Sequence, residues 1–176
     1  GDDFTGSTDA LEAVTRSGLR SILLLDTPRP EILARYPEVE VIGVAGNSRT
    51  WDSSQAKARF PPLIDALIQT GAPLIHYKVC STFDSAPEAG SIGLCMEAIR
   101  ARIPGGCVPI VGATPHLARY CVFGNLFARA ATDGSIHRLD RHPIMRVHPV
   151  TPMAEADLRL HLGDQCAFPI HLASLP

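Results

Sequence analysis

Apolar residues recur along this chain at two spacings. In "STDALEAVTRSG", Ala10, Leu11 and Val14 share one face at helical period. That stretch predicts a helix, with Ser7 or Gly6 as cap, Asp9 and Glu12 in its first turn and Gly18 at its end. "RSILLLD" then reads as a buried strand, "RPEILARY" as a short helix with proline near its start, and "VEVIGVAG" as a second strand. "SSQAKARFPPLIDALIQTG" has helical period interrupted by Pro61 and Pro62. "APLIHYKV" reads as a third strand, "EAGSIGLCMEAIRARI" as a helix and "CVPIVGAT" as a fourth strand. "TPMAEADLRLHLG" predicts a last helix, capped by Thr151 with Pro152 at its first position, and "AFPIHLA" a last strand. Residues 115–148 hold no regular period.

Strands that alternate with helices predict an α/β fold, a three-layer sandwich with a mostly parallel sheet flanked by helices. The near-continuous apolar runs suit strands covered on both faces. A strand is expected to deliver the chain to "DDFTGST", so the sequence reads as a piece of a longer chain.

Composition narrows the classes. The chain has 176 residues, 45% hydrophobic and 19% charged, enough for one domain with a core. Its formal charge of −2 and lack of basic runs give no electrostatic case for nucleic acid or an anionic membrane. "SILLL" is far too short to span a bilayer, and no secretory leader pattern is visible. The five cysteines are odd in number and form no C-x-x-C pair, which argues against a disulfide framework or zinc ribbon. They read as reduced, cytoplasmic thiols.

Ligands of open parallel sheets bind beyond the carboxyl ends of the strands. Three polar segments, "DDFTGST", "GNSRT" and "KVCSTFDS", follow strands and are expected at that edge. They bring Asp2, Asp3, Thr5, Gly6, Arg49, Lys78, Ser81, Thr82, Asp84 and Ser85. Arginine grips carboxylates with two parallel hydrogen bonds, and lysine adds a point charge. Aspartates accept from sugar hydroxyls and serve as general bases. The mixture suits a small polyhydroxylated acid. Each residue also has a plainer reading: Asp3 as a helix cap, Lys78 as a solvated strand end, Arg49 paired with Asp52, and "CSTFDSAPE" as a turn.

The spacing of His137, His142 and His148 fits no standard zinc pattern, so no metal site is expected. Neither G-x-G-x-x-G, a phosphate-binding G-x-x-x-x-G-K-[ST] nor a G-x-S-x-G elbow occurs where it would carry weight.

"DDFTGSTDALE", "YKVCSTFDSAPEAGSIG", "RYCVFGNLFA" and "RLDRHPIMRVHPVTPMAEADLRLHL" resemble the four-carbon acid sugar kinases, their 3-oxo-tetronate kinase branch in particular. The resemblance implies that residues 1–176 form the N-terminal sugar-acid-binding domain. A C-terminal nucleotide-binding domain, absent here, would hold ATP and Mg. The implied reaction moves the γ-phosphoryl of ATP to a terminal hydroxyl of a 3-oxo-tetronate, threonate or erythronate. Asp2 and Asp3 would be catalytic, and Arg141 of "RLDRHP" would join the substrate contacts. The fragment alone is expected to be inactive. The implied partner is a small sugar acid, with no nucleic acid or membrane, and a homodimer is compatible. The alternative is a stand-alone sugar-acid-binding or regulatory module without catalysis. Asn47, Thr114, His116, Arg146 and Val147 depart from the family pattern and leave the exact substrate open.

Overall fold

The computed structural model describes residues 1–173. Helix α1 spans Phe4–Arg16, starting earlier than its apolar period indicates because Asp3, rather than Ser7 or Gly6, is the cap. Gly18 closes it at φ 92°, a conformation glycine adopts without strain. Strand β1 (Ser21–Leu24), short helix α2 (Pro30–Leu33) and strand β2 (Val41–Val44) follow. β1 and β2 pair in parallel, Ser21 opposite Val41 and Leu24 opposite Val44.

Helix α3 (Ser53–Gln69) opens with a capping box between Asp52 and Gln55. It runs unbroken through Pro61 and Pro62, contrary to the expected interruption. Residues on both sides of the pair anchor it: Ala56, Phe60 and Ile64 are buried with Trp51 and with Cys95 of α4 (Ile92–Arg102). That packing outweighs the hydrogen bonds the prolines remove.

The sheet differs from expectation. Among the described residues, the parallel pairing is confined to β1 and β2. Residues 72–79, 107–114 and 167–173 form no strand. Each carries a proline (Pro73, Pro109, Pro169), which removes one ladder donor. The architecture is therefore mixed α/β, and a three-layer sandwich is not what this pairing displays.

The stretch without a period holds a second, antiparallel sheet of β3 (Arg119–Val122), β4 (Asn125–Arg129) and β5 (Ile136–Arg138). β3 and β4 are joined by a tight turn with Phe123 and Gly124 both at positive φ, the twist that matches a two-residue hairpin. Helix α5 covers only Leu158–Gly163, not the predicted stretch from Thr151. The preceding backbone is spent on the sheet: Leu126 N–H donates to Ala156 O and Leu158 N–H to Gly124 O. The main core gathers Phe83, Met96, Leu126, Leu139, Met153 and Leu162 between this sheet, α4 and α5.

Candidate functional site

The chain start is held at the carboxyl end of β2. Gly1 N donates to Val44 O at 3.1 Å, Asp2 N–H to Lys78 O at 2.8 Å, and Arg49 N–H to Asp2 O at 3.0 Å. These bonds bring "DDFTGST", "GNSRT" and "KVCSTFDS" together at one edge, as the sequence predicts.

Arg49 explains why two aspartates stand side by side. Its Nε and Nη2 grip both oxygens of Asp2, and its Nη1 lies 2.9 Å from Asp3 Oδ2. A single guanidinium thus bridges two adjacent carboxylates. Burial opposes the Arg49 charge, but its neighbours, Asp2 foremost, more than offset it, and the net effect raises its pKa. Asp2 is 3% exposed and also accepts from Cys80 N–H at 3.1 Å. Its oxygens are spent inside the protein. Asp3 has a side chain 32% exposed, and its Oδ1 caps α1 by accepting from Gly6 N–H at 2.6 Å. The plain reading of Asp3 as a cap is thus realised, alongside a carboxylate edge open to solvent. The plainer alternative, an Arg49–Asp52 pair, does not form; Asp52 caps α3.

Lys78 is half-buried against the start of α1. A β-carbon at Gly6 would overlap Lys78 Nζ and come 2.6 Å from Asp3 Oδ1, so only glycine leaves room for the ammonium there. Lys78 makes no salt bridge among the described residues, which leaves it as the uncommitted cation of the cluster.

The segment 80–85 folds back beside these charges. Thr82 Oγ1 donates to Asp84 Oδ1 at 2.7 Å and lies 3.0 Å from Cys80 Sγ. Burial, then Asp84, raises the Cys80 thiol pKa. Ser81 is half-buried and Thr5 exposed. Ser85 is 1% exposed and turns inward, 3.0 Å from His161 Nε2 and bonded by Gln165. Arg141 lies exposed in the turn after β5, with no hydrogen bond to the other candidates. Ser85 and Arg141 therefore stand apart from the group that the edge brings together.

Several contributors have no sequence signal. Ser48 Oγ and Tyr77 OH lie 2.8 Å apart, and Trp51 Nε1–H donates to Asn47 Oδ1 at 3.0 Å. These bonds hold the turn that carries Arg49, and they give the unusual Asn47 a structural role. Burial raises the Tyr77 pKa, so its hydroxyl stays protonated. His142 Nδ1 accepts from Ile144 and Met145 N–H, and His148 Nδ1 from Thr151 N–H, so both serve their own turns. Among the described residues, no three His, Cys, Asp or Glu are disposed to hold a metal ion. None of the described helices is long and apolar enough to cross a membrane. The edge offers a free ammonium, an accessible carboxylate and hydroxyls, a set that fits a small hydroxylated anion.

Residues 1–176 match the family described as the sugar-binding N-terminal domain, and the chain belongs to that family. It is 53% identical over 175 residues to a 3-oxo-isoapionate kinase of Paraburkholderia graminis, matching 99% of this chain and 37% of the relative. It is 37% identical to a 3-oxo-tetronate kinase of Methylobacterium radiotolerans, over 97% of this chain and 38% of the relative. The chain thus spans less than two fifths of the curated relatives it matches. A solved DUF1537 protein of Haemophilus influenzae superposes with a TM-score of 0.82 at 26% identity, over 96% of this chain and 38% of that one. A DUF1537 domain from Bordetella bronchiseptica, a domain-swapped dimer with bound citrate, gives a TM-score of 0.68 at 25% identity, over 92% of this chain and 38% of that one.

Proposed function

We propose that this sugar-binding domain holds the acid substrate of an ATP-dependent sugar-acid kinase, of the 3-oxo-tetronate or 3-oxo-isoapionate type named for its relatives. The observation that carries the reading is the division of labour among four charged residues. Arg49 is consumed by Asp2 and Asp3, while, among the described residues, Lys78 keeps an unpaired ammonium beside Asp3.

In this reading Lys78 receives the substrate carboxylate, with Thr5 and Ser81 offering hydroxyls to the sugar, while the buried Thr82 holds Asp84. Asp3 accepts a hydrogen bond from a substrate hydroxyl at Oδ2 and takes its proton as phosphoryl transfer proceeds. Asp2 acts through Arg49, fixing where Asp3 points. The role first expected of Arg49, gripping the substrate carboxylate, passes to Lys78. Such transfer depends on placement and charge neutralisation more than on covalent chemistry by the protein.

ATP and Mg do not fit the residues here. The two clustered aspartates are already bonded to Arg49, and no phosphate-binding glycine loop occurs. The reading assigns the nucleotide and its cation to a domain outside this chain.

The test is phosphorylation by the full-length protein of a panel containing 3-oxo-tetronates, 3-oxo-isoapionate, threonate and erythronate. Turnover of at least one acid, lost in Lys78→Met, is expected. ATP-dependent turnover of none would end the reading.

A further inference from the structure

The segment 80–85 contains a backbone anomaly. Phe83 lies at φ 55°, in the left-handed region that bulky residues avoid, and its ring is 3% exposed in the main core. Such strain persists only where the surroundings over-determine it, and it gathers at ligand-handling segments. The surroundings here are specific. The Phe83 carbonyl accepts from Ser85 Oγ at 2.9 Å and faces His161 Nε2 at 3.2 Å. His161 Nε2 also lies 3.0 Å from Ser85 Oγ and 3.2 Å from Gln165 Nε2, and it donates to the carbonyl in the tautomer that carries the proton on Nε2. Gln165 Nε2 donates to Ser85 Oγ at 2.9 Å, while its Oε1 accepts from Ile92 and Gly93 N–H at the start of α4. At its other end the segment is fastened to the charged cluster by the Cys80 N–H bond to Asp2.

We infer that His161 and Gln165 are positioning residues that hold Phe83 in its strained conformation and thereby aim Asp84, which the buried Thr82 holds by a hydrogen bond, at the ligand. This rests on the reading of the edge as a sugar-acid site. Thr82 and Asp84 flank Phe83 and bond each other, so a flip of the Phe83 peptide would swing both. His161 and Gln165 lie 78 and 80 residues downstream of the groups they hold. A β-carbon at Gly93 would strike the backbone of residue 165, so α4 and the end of α5 sit in direct contact. The segment is thus clamped between the charged cluster and a rigid helix junction. Neither positioning residue touches ligand in this arrangement.

The experiment compares wild type, His161→Leu, His161→Gln and Ser85→Ala in the full-length protein. Amide exchange of residues 81–86 is read against α3 as internal reference, and erythronate affinity is measured by calorimetry. His161→Leu is expected to speed exchange of 81–86 with α3 unchanged, and to weaken erythronate binding about tenfold, within the roughly hundredfold that an ångström of misplacement costs. His161→Gln, which keeps a donor, is expected to restore both. If His161→Leu does not fold, Ser85→Ala cuts the same tie from the other side and carries the comparison. Unchanged exchange of 81–86 in a folded variant overturns the inference, and so does faster exchange with unchanged affinity. Exchange needs no ligand, and wild-type binding is scored separately, so this inference and the sugar-acid reading fail in different measurements.

Discussion

Asp2 and Arg49 stand 47 residues apart and meet through three hydrogen bonds, with Asp2 almost wholly enclosed. This contact joins the chain start to the turn after β2, and it decides which of the adjacent aspartates reaches solvent. Removing one partner of a buried pair leaves an uncompensated charge, which costs more than the pair itself contributes. Arg49→Met is expected to lower the unfolding free energy by about 3 kcal/mol. Asp2→Asn combined with Arg49→Met should recover a substantial part of that loss, because no buried charge is stranded. Urea denaturation of the two singles and the double checks this; a double variant as unstable as the sum of the singles contradicts it.

Asp3 performs two tasks that one substitution separates. Asparagine caps helices as well as aspartate does. Asp3→Asn should therefore change stability by less than about 1 kcal/mol, while Asp3→Ala loses the cap and costs about 1 kcal/mol. Calorimetric titration with erythronate should show both variants binding much more weakly than wild type. Wild-type affinity in Asp3→Asn would remove the carboxylate from the ligand.

Gly6→Ala sets helix propensity against space. In a helix interior alanine is favoured over glycine by up to about 1 kcal/mol. The new methyl group would overlap Lys78 Nζ, the free end of a flexible chain. The ammonium can move aside at little cost, so thermal stability should hold or rise while sugar-acid affinity falls. A melting scan beside a binding titration checks the split. A fall in both would mean that Asp3, rather than Lys78, gives way.

Desolvation holds the pKa values of both His161 and His76 below the ordinary one. An unfolded chain would bind these protons at the ordinary histidine value of about 6.5. The unfolded state therefore takes up more protons as the pH falls below that value, and stability declines with acidification. The contribution is complete above about pH 6.5 and is lost as the pH drops through the lowered folded-state values. Urea midpoints from pH 7.5 downward should fall, and His161→Gln should shallow the slope. An unchanged slope in that variant would show that His161 does not govern the decline.

Local pattern carried much of this protein. The apolar face of Ala10, Leu11 and Val14 and the runs at 21–24 and 41–44 each lie within a few residues of the groups they organise. The sequence by itself therefore determined most helices, the parallel pair and the polar segments that converge on one edge. The antiparallel sheet was not legible, because its register rests on distant pairs such as Phe127 with Arg138 and on a turn that places Phe123 at positive φ. The predicted strands at 72–79 and 107–114 read as strands from apolar content alone, but strand pairing needs a partner edge that no local window contains. Within the site, the same limit separates residue type from residue role. Sequence supplied two aspartates, an arginine and a lysine. Only the tertiary structure decided that Arg49 is consumed by the aspartates, that Ser85 faces inward to Gln165, and that Lys78 makes no salt bridge among the described residues. Propensity and capping act over one turn of chain, whereas a charge takes whichever partner the folded backbone brings within reach.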